Sequence, residues 1–153
     1  MTTLEFTDSV LIAAAPEALY ALVSDVTRIG EWSPICTACW WDEPAAGPQV
    51  GAWFTGRNET PERTWETRSQ VVAADGREFA WEVNNGWVRW GFTVEPADGG
   101  ARLTESWHFL PKGIAGFGER FGERADTEIA IRSQAALSGI PVTLAAIKAT
   151  AEG

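Results

Sequence analysis

The sequence predicts an α+β fold in which a mostly antiparallel sheet packs against a long helix at the C-terminal end. Three observations predict it. Six consecutive segments between residues 37 and 110 have the length and alternation of strands. Tight-turn signals divide the later ones, at Asp75-Gly76, at Asn85-Gly86 and at the "ADGG" of residues 97–100, and consecutive hairpins make an antiparallel sheet. Beyond them Phe117, Phe121, Ala125, Ile129, Ala136, Ile140, Leu144 and Ile147 recur at spacings of three, four or seven. That is the apolar stripe of a helix of about eight turns, which has to lie across a sheet. The 153 residues fit one domain spanning 1–153, enough to bury roughly two thirds of the surface of the unfolded chain.

Taken in order, Leu4 to Ile12 ("LEFTDSVLI") reads as a strand in which Leu4, Phe6, Ser9 and Leu11 change face midway. "AAPEALYALVSDV" then signals a helix, with Pro16 in its first turn, Glu17 near the positive end of the dipole, and an end near Ser24 or Asp25. "TRIGEWSPI" reads as a second short helix or turn closed by Pro34. The strand segments follow as "TACWWD", "VGAWFTGRNE", "TWETRSQVVAAD", "REFAWEV", "WVRWGFTVE" and "ARLTESWHFL". "LPKGIAGFGE" has three glycines and no strand pattern, so it reads as a flexible connection. Pro141, in Gly139-Ile140-Pro141, is expected to kink the last helix or split it.

Charge and composition exclude several classes. Twelve Lys and Arg stand against 21 Asp and Glu, a net charge of −9, with no basic stripe, so neither nucleic acid nor an anionic membrane is an expected partner. The start has no signal-peptide pattern and no stretch approaches 18 uninterrupted apolar residues, so a cytoplasmic protein without membrane insertion is expected, as a monomer or homodimer. Nine Trp accompany a single Tyr. An indole buries a large area and keeps one N–H donor, so this richness means either a tightly packed core or an aromatic-lined pocket.

Alternation assigns the faces of the sheet. Trp65, Thr67, Ser69 and Val71 point inward, as do Phe79, Trp81 and Val83, and Val88, Trp90, Phe92 and Val94, the last set opposed by Trp87 and Arg89. On the last strand Leu103, Trp107 and Phe109 share their face with Glu105, and if Phe54 is inward so is Asn58. A carboxylate among Trp and Phe is costly unless it finds a partner or takes up a proton. Glu105 is therefore either tied to a Trp N–H or an Arg such as Arg132, or it is the acid, base or hydrogen-bond anchor of a pocket.

Other motifs fall away. The one His, His108, points outward, and two Cys with it do not make a zinc site; the glycines of 116–122 lack the Lys-Ser/Thr of a phosphate loop. No metal and no cofactor is expected. "PICTACWW" holds Cys36 and Cys39 as C-x-x-C. On a regular strand they lie roughly 10 Å apart on opposite faces, so only a tight turn at Thr37-Ala38 would make them a thiol site.

The stretches "VSDVTRIGEWSP", "VGAWFTGRN" and "LTESWHF", with the tail "GIPVTLAAIKATAE", resemble the START-like or SRPBCC superfamily of the polyketide cyclase/dehydrase type. The resemblance implies the helix-grip fold of the birch-pollen-allergen kind. In it a seven-stranded antiparallel sheet curves around a long C-terminal helix, two short helices follow the first strand, and an apolar or polycyclic molecule binds between sheet and helix. It supplies no universal catalytic motif. The leading expectation is a protein binding a hydrophobic, aromatic or polycyclic, polyketide- or lipid-like small molecule. Trp41, Trp65, Trp81, Trp90, Phe92, Trp107 and Phe121 would enclose it, Asn58 and Thr67 would orient it, and residues 112–118 would gate access. If it is an enzyme, cyclisation or dehydration with Glu105 moving a proton is the expected reaction. The rival reading is an interaction or chaperone-assisting protein whose Trp side chains fill the core.

Overall fold

The computed structural model describes residues 2–153. Strand β1 (Glu5–Ile12) leads into helix α1 (Pro16–Val23) and a 3-10 helix (Val26–Glu31). Six strands follow: β2 (Cys36–Trp41), β3 (Trp53–Glu59), β4 (Thr64–Ala74), β5 (Glu78–Val83), β6 (Val88–Ala97) and β7 (Gly100–Phe109). Helix α2 (Pro111–Phe121), a 3-10 turn (Gly122–Arg124) and helix α3 (Ala125–Glu152) complete the chain. All seven strands form one sheet in the order β1-β7-β6-β5-β4-β3-β2, every neighbouring pair antiparallel. This is the helix-grip architecture.

The local sequence explains three of the helix starts. Pro16 and Pro111 occupy first-turn positions, where a missing N–H costs nothing. Asp25 caps the 3-10 helix by accepting from the Thr27 N–H at 3.1 Å. Between β5 and β6, Asn84 and Asn85 both adopt positive φ, 52° and 60°, which asparagine tolerates better than most residues. Extra residues in β2 and β4 shift the register there, and such bulges bend a sheet.

The inner face of the sheet and one side of α3 make the core. Ile129, Ala136, Ile140, Leu144 and Ile147 are all buried, as the spacing requires, and they belong to one buried cluster with Leu103, Phe109, Phe79 and Val71. The far end of α3 is tied down by polar contacts. Lys148 Nζ donates to the Leu11 carbonyl at 2.7 Å, the Ala13 N–H donates to Glu152 at 2.9 Å, and Trp32 Nε1 donates to Thr150 Oγ1 at 3.2 Å.

Four expectations need correction. β1 does not change face: Phe6, Val10 and Ile12 point inward with Asp8 between them, while Ser9 and Leu11 are exposed, because the unbroken β1·β7 register leaves no bulge to switch parity. Residues 112–118 are helix, not a flexible connection. The apolar stripe runs over two helices rather than one, and the break is at Gly122, whose φ of 57° leaves the helical region. Pro141 splits nothing: it lies on the solvent side of α3, and the helix continues through it from Ala125 to Glu152. The stretch Pro111–Glu152 has the length and composition of a membrane-crossing helix, yet in this fold it is interrupted at Gly122 and turns its apolar stripe to the sheet.

Leu103 is completely buried on β7 between sheet and helix. Leu103→Ala is expected to destabilise the fold by about 2–5 kcal/mol, read as a shift of the urea midpoint with unchanged slope.

Candidate functional site

Sheet and helix do not meet everywhere. Between the inner face, α3 and α2 lies a cavity of about 340 Å³, within the size range of small-molecule sites. The strand register builds its floor. Trp81 pairs with Trp90 and Trp90 with Trp107, giving a row of indoles across β5, β6 and β7, and the row beside it runs Phe79, Phe92, Glu105. Six of the nine Trp border the cavity: Trp32, Trp65, Trp81, Trp87, Trp90 and Trp107. They line it and leave it open, so the filled-core arrangement is not the one this chain adopts.

Of the residues singled out from sequence, Asn58, Trp65, Thr67, Trp81, Trp90, Phe92, Glu105, Trp107 and Phe121 are brought together around this cavity. Trp41 is not. It sits on the edge strand with its ring edge-on to Phe54, centroids 5.6 Å apart, and it is Phe54 that borders the cavity. Trp81 is the hub of the aromatic packing, with Phe54, Phe79 and Phe92 at 5.7, 5.7 and 6.0 Å. Asn58 and Thr67 are partly satisfied by each other, Asn58 Nδ2 donating to Thr67 Oγ1 at 3.4 Å. His108 lies outside, as parity requires, 3.7 Å from Glu5.

Glu105 is 5% exposed, and its Oε1 has no hydrogen-bond partner among the described residues. Burial pushes its pKa up to about 8, so at neutral pH the folded protein holds it mainly as a neutral acid. The sheet offers it no cation. Its register partner on β1 is Asp8, and Arg132 is engaged elsewhere, donating to Glu128 at 3.2 Å. The expected tie between Glu105 and Arg132 is thus replaced by another pair. Arg63 donates to both Glu128 oxygens at 3.2 Å. Burial opposes the ionisation of Glu128, but the hydrogen bonds and charge of Arg63, followed by the charge and hydrogen bond of Arg132, hold its pKa below the ordinary 4.5. Trp65 lies under both guanidinium groups, at 5.9 Å from Arg63 and 5.3 Å from Arg132. The cavity therefore has a neutral acid in its interior and a cationic, half-exposed edge.

Sequence reasoning missed Trp87 and Arg63 at the cavity, named Arg132 only as a partner for Glu105, and placed the thiols of Cys36 and Cys39 on opposite faces. Strand parity points Trp87 outward, but the residue belongs to the hairpin loop before β6, where parity does not apply. Helix α2 presses onto it. A Cβ at Gly113 would lie 2.3 Å from the Trp87 carbonyl oxygen, and one at Gly116 would lie 2.3 Å from its ring. The glycine spacing in "KGIAGF" was a packing signal and not a hinge. Among the described residues no group of three or more His, Cys, Asp or Glu side chains is placed to hold a metal ion.

Residues 3–140 match the family model described as polyketide cyclase / dehydrase and lipid transport. The chain belongs to that family. A polyketide cyclase-like protein from Corynebacterium glutamicum, solved by solution NMR, is 56% identical over 94% of this chain and 88% of its own, with a TM-score of 0.68. Two more distant structures share the fold of this family member. The di-domain ARO/CYC protein StfQ of the steffimycin biosynthetic pathway is 18% identical, covering 99% of this chain and 51% of its own, with a TM-score of 0.70. The protein Ara h 8.0201 is 16% identical over 96% of each chain, with a TM-score of 0.60. No curated protein matches. What membership establishes is a fold built for hydrophobic ligands, and the cavity described above is its form in this chain.

Two outcomes follow from this geometry. Gly116→Val is expected to cost about 1–3 kcal/mol, because the new side chain meets the Trp87 ring, and to shift Trp emission; a flexible connection would tolerate it without either change. For Glu105, the unfolded chain loses its proton near 4.5 and the folded chain only near 8. Between those values the folded state binds the extra proton, so stability is greatest below the window and falls by about 1.4 kcal/mol per pH unit as pH rises through it. Urea melts across this interval check it: Glu105→Gln should lose the slope and overtake the wild type at the alkaline end.

Proposed function

We propose that this protein binds a flat hydrophobic molecule, aromatic or polycyclic and of polyketide or lipid type, in the tryptophan-lined cavity, with Glu105 donating a hydrogen bond or proton to it. The observation that carries this reading is a buried, unpartnered carboxyl, its pKa raised by burial, beside the indoles of Trp81, Trp90 and Trp107 and their Phe neighbours. A buried polar group without a partner costs about 1–3 kcal/mol, and a ligand oxygen placed against it recovers that cost. Indole faces give stacking surface to a planar ligand. Arg63 and Arg132, facing the same space, suit a ligand whose outer end is polar or anionic.

If the bound molecule is turned over, the residues present favour cyclisation or dehydration. The cavity would hold a folded, reactive conformer while neutral Glu105 protonates a developing oxyanion or a leaving hydroxyl. Asn58 and Thr67, at the β3/β4 end, would fix the orientation. On this reading the chain works in the cytoplasm, as a monomer or homodimer, with a small molecule as its partner.

Native mass spectrometry of freshly purified protein is expected to release a co-purifying apolar ligand. Polycyclic ligands should quench Trp emission saturably at micromolar concentration, and no saturation across a panel of polycyclic and fatty molecules would instead favour a protein that binds other proteins. With an identified substrate, Glu105→Gln should keep binding and lose on the order of 10²–10⁴ in turnover, the usual worth of a general acid. Unchanged turnover would remove that role from Glu105.

A further inference from the structure

Cys36 and Cys39 take no part in the reading above, and the structure corrects where they point. Strand β2 carries one extra residue. Cys36 pairs with Asn58 and Ala38 with Arg57, so Thr37 has no partner across the ladder and Cys39 falls opposite Gly56. Two cysteines three apart in sequence therefore face partners only two apart. The bulge puts both side chains on the inner face, with their Sγ atoms 3.2 Å from each other and both bordering the cavity.

This bulge is held from three sides. The Cys36 N–H donates to Ser33 Oγ at 2.9 Å, and Thr37 Oγ1 donates to Glu59 at 2.7 Å. The 3-10 helix packs on it at Gly30, where a Cβ would lie 2.3 Å from the Thr37 carbonyl oxygen. Across the ladder Gly56 presents no side chain, and a Cβ there would stand 3.3 Å from Cys39 Sγ and 3.5 Å from Cys36 Sγ. Nothing separates the two sulfurs.

We propose that Cys36 and Cys39 form a dithiol redox site in the cavity wall, closing to a disulfide by exchange with a low-molecular-weight disulfide, Cys36 attacking and Cys39 resolving. Access assigns the order: Cys36 is half-buried, whereas Cys39 is 7% exposed. The hydrogen bond that Cys39 supplies lowers the Cys36 pKa, while that bond and burial raise the pKa of Cys39. In the first step the Cys36 thiolate bonds to one sulfur of the small disulfide and the other leaves as a thiolate, which takes the proton Cys36 gave up. In the second, Cys39 loses its proton and bonds to Cys36 Sγ, expelling the second small thiol. The protein gives up two electrons and two protons, and the small disulfide becomes two thiols. Two ladder rungs separate the Cα atoms by roughly 6.6 Å, near the long end of the range that a disulfide spans, so the bridge closes within the strand and reopens readily.

The experiment is titration of the purified protein with oxidised glutathione, followed by alkylation of remaining thiols and intact-mass measurement, with circular dichroism to confirm folding. The wild type is expected to lose the mass of two hydrogens, to resist alkylation as a monomer, and to recover both thiols with excess reduced glutathione. Cys39→Ser should stop at one glutathione on Cys36, and Cys36→Ser should leave Cys39 unreacted in the folded protein. Folded wild type that still alkylates at both thiols, or that oxidises only into linked dimers, would overturn the site. A glutathione adduct on Cys39 in the Cys36→Ser protein as fast as on Cys36 in the Cys39→Ser protein would overturn the assigned order.

Discussion

The register of three central strands is the constraint on which the rest depends. Trp81, Trp90 and Trp107 stand in one row because β5, β6 and β7 pair without a slip along their shared length. Side chains alternate with a period of two, so a shift of one residue in β6 would turn Trp90 and Phe92 to solvent and bring Arg89 and Gly91 inside. That single choice decides the floor of the cavity, the enclosure of Glu105 and the surface that α3 covers. The turn residues enforce it. Asn84 and Asn85 at positive φ set the β5/β6 loop, whose last residue, Trp87, is then pinned beneath α2.

Placing a carboxyl on this floor has its own logic. A charged Glu105 would face Phe92 beside it and Asp8 across the ladder, with no cation in reach, so the fold retains it by keeping it protonated. The positive charge of the site is held at the edge instead, where Glu128 binds Arg63 and Arg132 together over Trp65. Acid and cations thus border one cavity without pairing with each other. A protonated acid in a buried site can donate a hydrogen bond, whereas a carboxylate paired with Arg132 could only accept them.

Most of this was legible in the sequence where a repeating pattern carried it. Period-two alternation placed Trp65, Trp81, Trp90, Phe92, Trp107 and Glu105 inward, and the helical period picked out Ile129 through Ile147. Reasoning failed where the backbone leaves its repeat. The bulge at Thr37 reversed the expected separation of Cys36 and Cys39, the loop position of Trp87 voided its parity, and Gly122 rather than Pro141 ended a helix. The glycines of α2 misled for a different reason. Glycine signals both freedom and close approach, and only the neighbour, here the Trp87 ring, distinguishes the two. Trp41 marks a further limit: parity gives the face of a residue and not its distance from the centre of a sheet.

The antiparallel ladder also separates what is inherited from what can drift. Its hydrogen bonds are made by the backbone, so they are indifferent to which side chains the inner face carries. StfQ and Ara h 8.0201 share this backbone fold while only 18% and 16% of their residues match this chain. Exchanging Thr67, Trp90 or Trp107 would reshape the space between sheet and helix without breaking a single rung. A scaffold of this kind can change what it holds one side chain at a time, because the side chains of the six tryptophans around the cavity contribute rings to its wall and no hydrogen bond to the ladder.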